Sequence, residues 1–370
     1  MRIGIATHNY PPHLGGLETI VREQACGFAR RHDVIVVSTA WQGCQGIRQE
    51  DGVTVHRLSA WHLLERAGVP YAVPTGPGVR SALDELADCD VLHAHGCLYP
   101  TTILAAEASR RRQSPFFITE HVGIVPYGSR VLAATQAAAW HVIGAPLVRR
   151  ADRVITYNAR VHDALAERFG RDRVTFIQNG VDTTVFRHRT EAERGALRKQ
   201  LGLPSDEVLA LFVGRAAAKK NLDSVLQFPA KNYRLVVCGA VRSLPPHVIN
   251  LGALPHSLMS DVFGAADFLL HAAVGEGFPV AVQEAFGCGL PVVLLWDSGY
   301  EGSVSKDVLV AVSHLGELSS ATERLAVDKA MRDELGAKAQ SFAVDHWSWE
   351  TTIERHLDLF HGALSKEVRP

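Results

Sequence analysis

The sequence predicts an α/β protein built from two doubly wound domains with parallel sheets. Three observations predict it. The chain has 370 residues, beyond the size at which a single core usually keeps growing. Its apolar runs are short and largely unbroken by polar positions, as parallel strands covered on both faces are. Those runs alternate with helical patterns, and the alternation breaks at a charged segment and then restarts.

In the first half, strands are expected at Ile3–Ala6, Val34–Ser38, Val53–Leu58, Val91–Ala94, Phe116–Thr119, Val154–Tyr157 and Val174–Ile177. Helical patterns between them include Leu17–Arg30, Gly78–Leu86 and Arg160–Phe169. The first carries Leu17, Ile20, Val21, Ala25 and Phe28 at the 3.6-residue period of an amphipathic helix. The charged stretch Thr183–Asp206, with a helical run over Glu191–Leu201, reads as the linker that opens a second domain. Strands follow at Val208–Val213, Leu235–Cys238, Val248–Leu251, Phe268–His271 and Val292–Leu295. The domains are therefore expected at 1–182 and 183–348, with a helix over 349–361 as a candidate to pack back on the first.

Charge excludes one class of partner. With 38 basic against 39 acidic residues and a net charge of -1, the chain lacks the basic footprint of a nucleic-acid binder. The cysteines Cys26, Cys44, Cys89, Cys97, Cys238 and Cys288 have no metal-ligand spacing and read as reduced, mostly buried thiols. No run approaches ~20 continuous apolar residues, so no spanning helix is expected. Met1 and Arg2 lead straight into a strand, which leaves no room for a signal peptide. A cytoplasmic protein is expected. Peripheral contact with the inner face of the cell membrane is a further candidate, through Trp61–Leu64 with Arg66 and through Arg110–Arg112. Core packing of Trp61 and Leu64, and a solvated helix end at Arg110–Arg112, explain the same residues.

Open α/β sheets bind ligands outside the carboxyl ends of their strands, so the chemistry is sought in strand-to-helix loops. After the first strand, Gly15 and Gly16 open a helix whose first N–H groups attract anions. After the first strand of the second domain, Arg215 and Lys220 are two cations able to stabilise a departing diphosphate without a metal. Lys219 reads as a surface residue. The loop Gly275–Pro279 follows the strand Phe268–His271 and precedes the apolar helix Val280–Phe286. Pro279 suits an early helical position, and the N–H groups of Val280 and Ala281 can hold a phosphate oxygen. Glu276 lies in the loop, while Glu284 lies inside the helix, where a carboxylate is costly unless paired. A bidentate acceptor for two sugar hydroxyls and a buried salt bridge both account for Glu284. His121 follows the strand Phe116–Thr119. His121, His93 and His95 are each read as a cleft residue or a core histidine. No metal-binding spacing occurs. The stretch Ile124–Tyr127 reads as ordinary packing or as part of an acceptor groove.

These loops together resemble retaining glycosyltransferase family four, whose members have the GT-B fold of two facing Rossmann-like domains around an interdomain cleft. The resemblance spans nearly the whole chain. It rests on Gly15–Gly16, Thr119–Glu120–His121, Asn179–Gly180–Val181–Asp182, Gly214–Arg215 with Lys220, and Glu276 followed by Glu284 and then Gly289–Leu290–Pro291. It implies a metal-independent, retaining transfer of a hexose or N-acetylhexosamine from a nucleoside diphosphate sugar, with no cofactor. A UDP-sugar is favoured and a GDP-sugar comes second; the acceptor would be a hydroxyl of a small molecule, a glycan or a lipid-linked sugar. By the same resemblance, Arg215 and Lys220 would clamp the diphosphate and Glu284 would accept from the ribose hydroxyls. Glu276 would lie near the transferred sugar, with Phe278, Val280 and Ala281 supplying backbone contacts. Gly16 would approach the diphosphate, and His121 would contact the donor sugar. The catalytic set is thus His121, Arg215, Lys220 and Glu276. One departure stands out: the family often has Pro-Ser before its acidic loop, where this chain has His271–Ala272–Ala273. The alternatives are a nucleotide-sugar epimerase of the same fold and a non-catalytic nucleotide-sugar-binding scaffold.

Overall fold

A computed structural model describes residues 1–61, 71–123, 130–241 and 243–367. Residues 62–66, proposed above for membrane contact, and 124–127, read as part of an acceptor groove, lie outside the described residues. The chain divides into two compact units, Met1–Gln178 together with Trp349–Pro370, and Asn179–Ser348.

The strands of the first unit are β1 (Arg2–Ala6), β2 (Asp33–Thr39), β3 (Gly46–Glu50), β4 (Val53–Leu58), β5 (Ala60–Trp61), β6 (Val73–Pro74), β7 (Val91–His95), β8 (Phe116–Thr119), β9 (Arg153–Thr156) and β10 (Val174–Phe176). Its main sheet has the order β10-β9-β8-β7-β1-β2-β4-β3. All neighbours are parallel except β3, which runs antiparallel to β4. β3 escaped the sequence reading because its residues, Gly-Ile-Arg-Gln-Glu, are exposed and polar. That composition suits an edge strand, where charge deters further pairing. Apolar layers cover both faces of the sheet. One contains Ile3, Val21, Phe28 and Phe117 with Ile353, Leu357 and Phe360 of the helix Trp349–Glu367. The other contains Leu86, Leu92, Ile118, Trp140 and Val148. Burial on two sides is why the strands read as unbroken apolar runs.

The second unit holds β11 (Leu209–Val213), β12 (Arg234–Cys238), β13 (Ile249–Gly252), β14 (Phe268–His271), β15 (Val292–Leu295) and β16 (Val310–Val312). They form one parallel sheet in the order β13-β12-β11-β14-β15-β16. β13 sits one residue later than its apolar pattern suggested, and β16 is too short to leave a pattern. In both sheets the first strand lies where the order reverses: β1 beside β7, and β11 beside β14. Such a switch point leaves a crevice at the carboxyl ends of the two strands, because the helices that follow them go to opposite faces.

The charged segment that opens the second unit is tied down rather than loose. Thr190 and Glu193 form a reciprocal capping box at the start of the helix Glu191–Leu201. From that helix, Arg194 and Arg198 each reach Asp267 at 2.6 Å. Asp267 also accepts the Leu209 backbone N–H at 2.7 Å. One carboxylate therefore joins the opening helix to the starts of β11 and β14. Breaking such a pair from one side strands the other charge. Asp267→Asn is expected to cost about 3–5 kcal/mol, read as a lower urea midpoint for the second unit.

Candidate active site

The second unit brings together the two loops that carry most of the predicted residues. The loop after β11 runs through Gly214, Arg215 and Lys220; the loop after β14 carries Glu276. The Lys219 carbonyl accepts the Val274 N–H at 2.9 Å, and the Asn221 amide donates to the Ala272 carbonyl at 2.8 Å. These bonds set Lys220 Nζ 2.9 Å from both carboxylate oxygens of Glu276. Lys219 keeps the surface position expected of it, with its Nζ 3.5 Å from the same carboxylate. Burial opposes the Glu276 charge, but Lys220, backed by Lys219, outweighs burial and holds the carboxyl down at about 2. Beneath them His271 is buried, its Nε2 3.6 Å from Glu276. Burial and the neighbouring Lys220 push the ring down to about 4, so it is neutral at pH 7. Arg215 is exposed and has no ion-pair partner among the described residues. Asp297, which the sequence reading passed over, accepts the Gly275 N–H at 3.1 Å and so fixes the turn in front of Glu276.

The helix Val280–Gly287 follows at once. Pro279 is its N-cap, with extended backbone, rather than a residue of its first turn. Its carbonyl accepts from Val282 at 3.0 Å. The N–H groups of Val280 and Ala281 have no acceptor within the helix, as in any first turn. Phe278 is buried against Tyr300 and Trp347, which anchors the loop from below. Glu284 is buried one turn into the helix, and its Oε1 lies 2.5 Å from His256 Nε2. His256 starts the turn after β13. The sequence reading missed it, because 28 residues separate the two partners. The motif Asn179–Asp182 supports this helix: Gln283 donates to the Asn179 carbonyl at 2.6 Å. A Cβ on Gly287 would sit 2.8 Å from the Phe186 carbonyl oxygen, so the helix lies against that backbone.

In the first unit, Gly15 precedes the helix Gly16–Ala29 at the carboxyl end of β1. The helix start already carries an acid of its own. Glu18 Oε1 is 2.7 Å from His13 Nδ1, and a Cβ on Gly15 would come within 2.3 Å of Glu18 Oε2. A side chain at Gly15 would have to displace the Glu18 carboxylate from this position. His121 is buried, with Nε2 3.0 Å from His95 Nδ1 and Nδ1 2.6 Å from the Tyr157 hydroxyl. Burial pushes it down to about 3. Tilted ring contacts run from His121 to His95, from His95 to His93 and from His93 to His356, and burial holds each of these rings neutral too. Glu120 is the less expected residue of its motif. Its carboxylate accepts N–H bonds from Cys97 at 2.9 Å and Gly123 at 3.1 Å, tying the loop after β7 to the loop after β8.

Arg110 and Arg111 pair with Glu107, and Arg112 pairs with Asp88, all through exposed arginine side chains that suit the solvated helix end read for this run. One helical run, Arg130–Arg150, is long and apolar enough by composition to cross a membrane, although most of it is exposed. Thr135, Gln136, His141 and Pro146 interrupt it, which is why the sequence offers no continuous apolar stretch there. Among the described residues, no group of three His, Cys, Asp or Glu side chains is arranged to hold a metal.

Comparison with known proteins adds to this geometry. A family profile described as Glycosyltransferase Family 4 matches residues 14–185, and one described as Glycosyl transferases group 1 matches residues 193–342. Over 336 aligned residues the chain is 28% identical to the D-inositol 3-phosphate glycosyltransferase of Thermomonospora curvata, covering 81% of this chain and 77% of that protein. It is 26% identical to D-inositol 3-phosphate glycosyltransferase 1 of Catenulispora acidiphila, covering 95% and 91%. Among solved structures, sucrose-phosphate synthase of Thermosynechococcus elongatus superposes with a TM-score of 0.78 at 19% identity, covering 99% of each chain. Anabaena HepE in complex with UDP-glucose superposes with a TM-score of 0.76 at 17% identity, covering 98% of this chain and all of that one, 100%. These likenesses establish the GT-B fold.

The buried histidines predict how the first unit responds to acid. Folded, they stay neutral; unfolded, they take up protons near their ordinary value of 6.5. Below that pH only the unfolded state gains protons. The stability they confer is whole above pH 6.5 and falls by about 1.4 kcal/mol per pH unit per histidine. The loss continues to about 4 for His356 and about 3 for His121. Urea midpoints measured from pH 7 to pH 4.5 are expected to drop steeply, and less steeply in His356→Phe by one histidine's share.

Proposed function

The chain belongs to glycosyltransferase family four and is a glycosyltransferase of the GT-B type; on that premise we propose that it transfers a sugar from a nucleoside diphosphate donor, with retention of configuration and without a metal. One observation carries the reading. The loop after β11, which carries Arg215 and Lys220, and the loop after β14, which leads into the first-turn amides of Val280 and Ala281 and on to the buried Glu284, follow neighbouring strands, and Lys220 meets Glu276 between them.

A departing nucleoside diphosphate gains negative charge as its bond to the sugar breaks. Fixed cations and amide dipoles aimed at it stabilise that charge in the transition state. Arg215, exposed and without an ion-pair partner among the described residues, is available to a phosphate as it stands. Lys220 would have to turn from Glu276. Glu284 would accept from the ribose hydroxyls with His256 holding its other side. The sugar carbon would lose the phosphate oxygen and gain the acceptor oxygen on the same face, through an oxocarbenium-like state. The donor phosphate would take the acceptor proton. Glu276 is bound by two lysines and is poorly placed to attack as a nucleophile; it would contact the transferred sugar. The roles of Gly15, Gly16 and His121 rest on the family resemblance.

A UDP-sugar is the first donor to test and a GDP-sugar the second. UDP-glucose in the HepE structure supports that order. A hydroxyl on a small molecule, glycan or lipid-linked sugar is the proposed acceptor. The exposed run Arg130–Arg150, without an acidic side chain and with arginines at both ends, supports a lipid-linked acceptor at a membrane surface. Co-sedimentation with anionic vesicles is expected on that reading; its absence would leave a soluble acceptor.

Arg215→Ala is expected to lower kcat about a hundredfold or more with an unchanged melting temperature, since the side chain is exposed. Normal turnover by this variant would remove the clamp. Glu284→Ala is expected to raise the donor KM, and to raise it less for a deoxyribose donor. Equal rises would remove the ribose role.

A further inference from the structure

We propose that His271 is a positioning residue, a reserve partner whose Nε2 takes up the Glu276 carboxylate when Lys220 turns to a donor phosphate. The inference rests on the reading of Lys220 given above and adds a second half to it.

The starting point is a conflict of charges. Lys220 offers its ammonium to both oxygens of Glu276 at 2.9 Å, and the Glu276 side chain is only 13% exposed. A diphosphate that draws Lys220 away leaves a buried carboxylate short of its main counter-charge. Such a loss is severe when nothing replaces the partner. Lys219 is a weak substitute. It stands 3.5 Å away on a side chain 40% exposed, where water screens it.

His271 is placed to offset the loss. It ends β14, three-hundredths exposed at 3%, with Nε2 3.6 Å from Glu276 Oε2. That separation is too long for a hydrogen bond, and Nε2 is a buried nitrogen with no hydrogen-bond partner among the described residues. A shift of under about 1 Å closes the gap to bonding distance. A buried polar atom without a partner is costly, so an apolar residue would serve better here if the lysine-bound state were the only one the site adopts. The charged groups near the ring are Lys220 and Glu276. While Lys220 is close it disfavours an imidazolium, and the neutral ring with its hydrogen on Nε2 is the form that can donate to Glu276. Lys220 and His271 would thus alternate on one carboxylate, the first in the free protein and the second in the donor complex. The departure from the family at His271 then has a reason within this chain.

The test compares nucleotide binding with the stability of the free protein. Uridine diphosphate, with guanosine diphosphate as the second probe, is titrated calorimetrically into the full chain and into His271→Leu, His271→Gln and Lys220→Ala. His271→Leu is expected to bind about tenfold or more weakly while its melting temperature without nucleotide stays at or above that of the parent. His271→Gln, whose amide can donate to Glu276, is expected to recover most of the affinity. Binding by His271→Leu within twofold of the parent overturns the proposal, as does a loss of free-protein stability that accounts for the weaker binding. Parent-like binding by Lys220→Ala overturns the reading of the clamp, and the reserve role with it. Weak binding by Lys220→Ala beside parent-like binding by His271→Leu overturns the reserve role alone.

Discussion

The pairing of β11 with β14 is the constraint from which the site of the second unit follows. These strands are neighbours in the sheet but lie more than fifty residues apart in the chain, with β12 and β13 made between them. Right-handed crossovers then send the following helices to opposite faces, and the two loops are left side by side at the strand ends. Lys220 and Glu276, 56 residues apart, meet for that reason and not because of any local motif. Asp267 fixes the other ends of the same two strands through Arg194, Arg198 and the Leu209 amide. The strands are therefore held from below by one part-buried carboxylate, and the loops above them carry another.

Much of the fold was legible because its strands are covered on both sides. Ile3–Ala6, Phe116–Thr119, Phe268–His271 and Val292–Leu295 carry enough consecutive apolar residues to be recognised without reference to their neighbours. β3 and β16 were not legible: the first is polar at an exposed edge, and the second has only three residues. The loops were legible as strand ends rich in glycine and charge. What their side chains touch was not. Glu284 could be read as a costly buried acid, but His256 could not be named as its neighbour, because nothing in a single sequence marks two residues on different loops as a pair. Lys219 reads as solvated by its place in a polar run and stays at the surface, while its carbonyl bond to Val274 turns that run toward Glu276.

The histidines teach a different lesson. Eighteen of them in the sequence make any one a weak signal, and the reading of His121, His93 and His95 favoured the core while keeping the cleft open. The structure puts His93, His95, His121 and His356 in contact and buries them all. Burial alone keeps a histidine neutral, as it also keeps His121 bonded to His95 and Tyr157 rather than to water. A core position and a place at a strand end are therefore compatible for His121. The ring can be rigidly held and still belong to a loop from which a ligand is read.

The helix Trp349–Glu367 has a consequence for biosynthesis. It supplies Ile353, Leu357 and Phe360 to the apolar layer around Phe28 and Phe117, yet the ribosome makes it after the whole of the second unit. Domains usually fold in the order they emerge. Here the nascent first unit must wait, with that layer unsealed, while about 170 further residues are translated (at some 5–20 per second). The second unit closes on itself meanwhile and can finish first. The part made earliest is thus completed last, and its open apolar face is what a chaperone would meet during that interval.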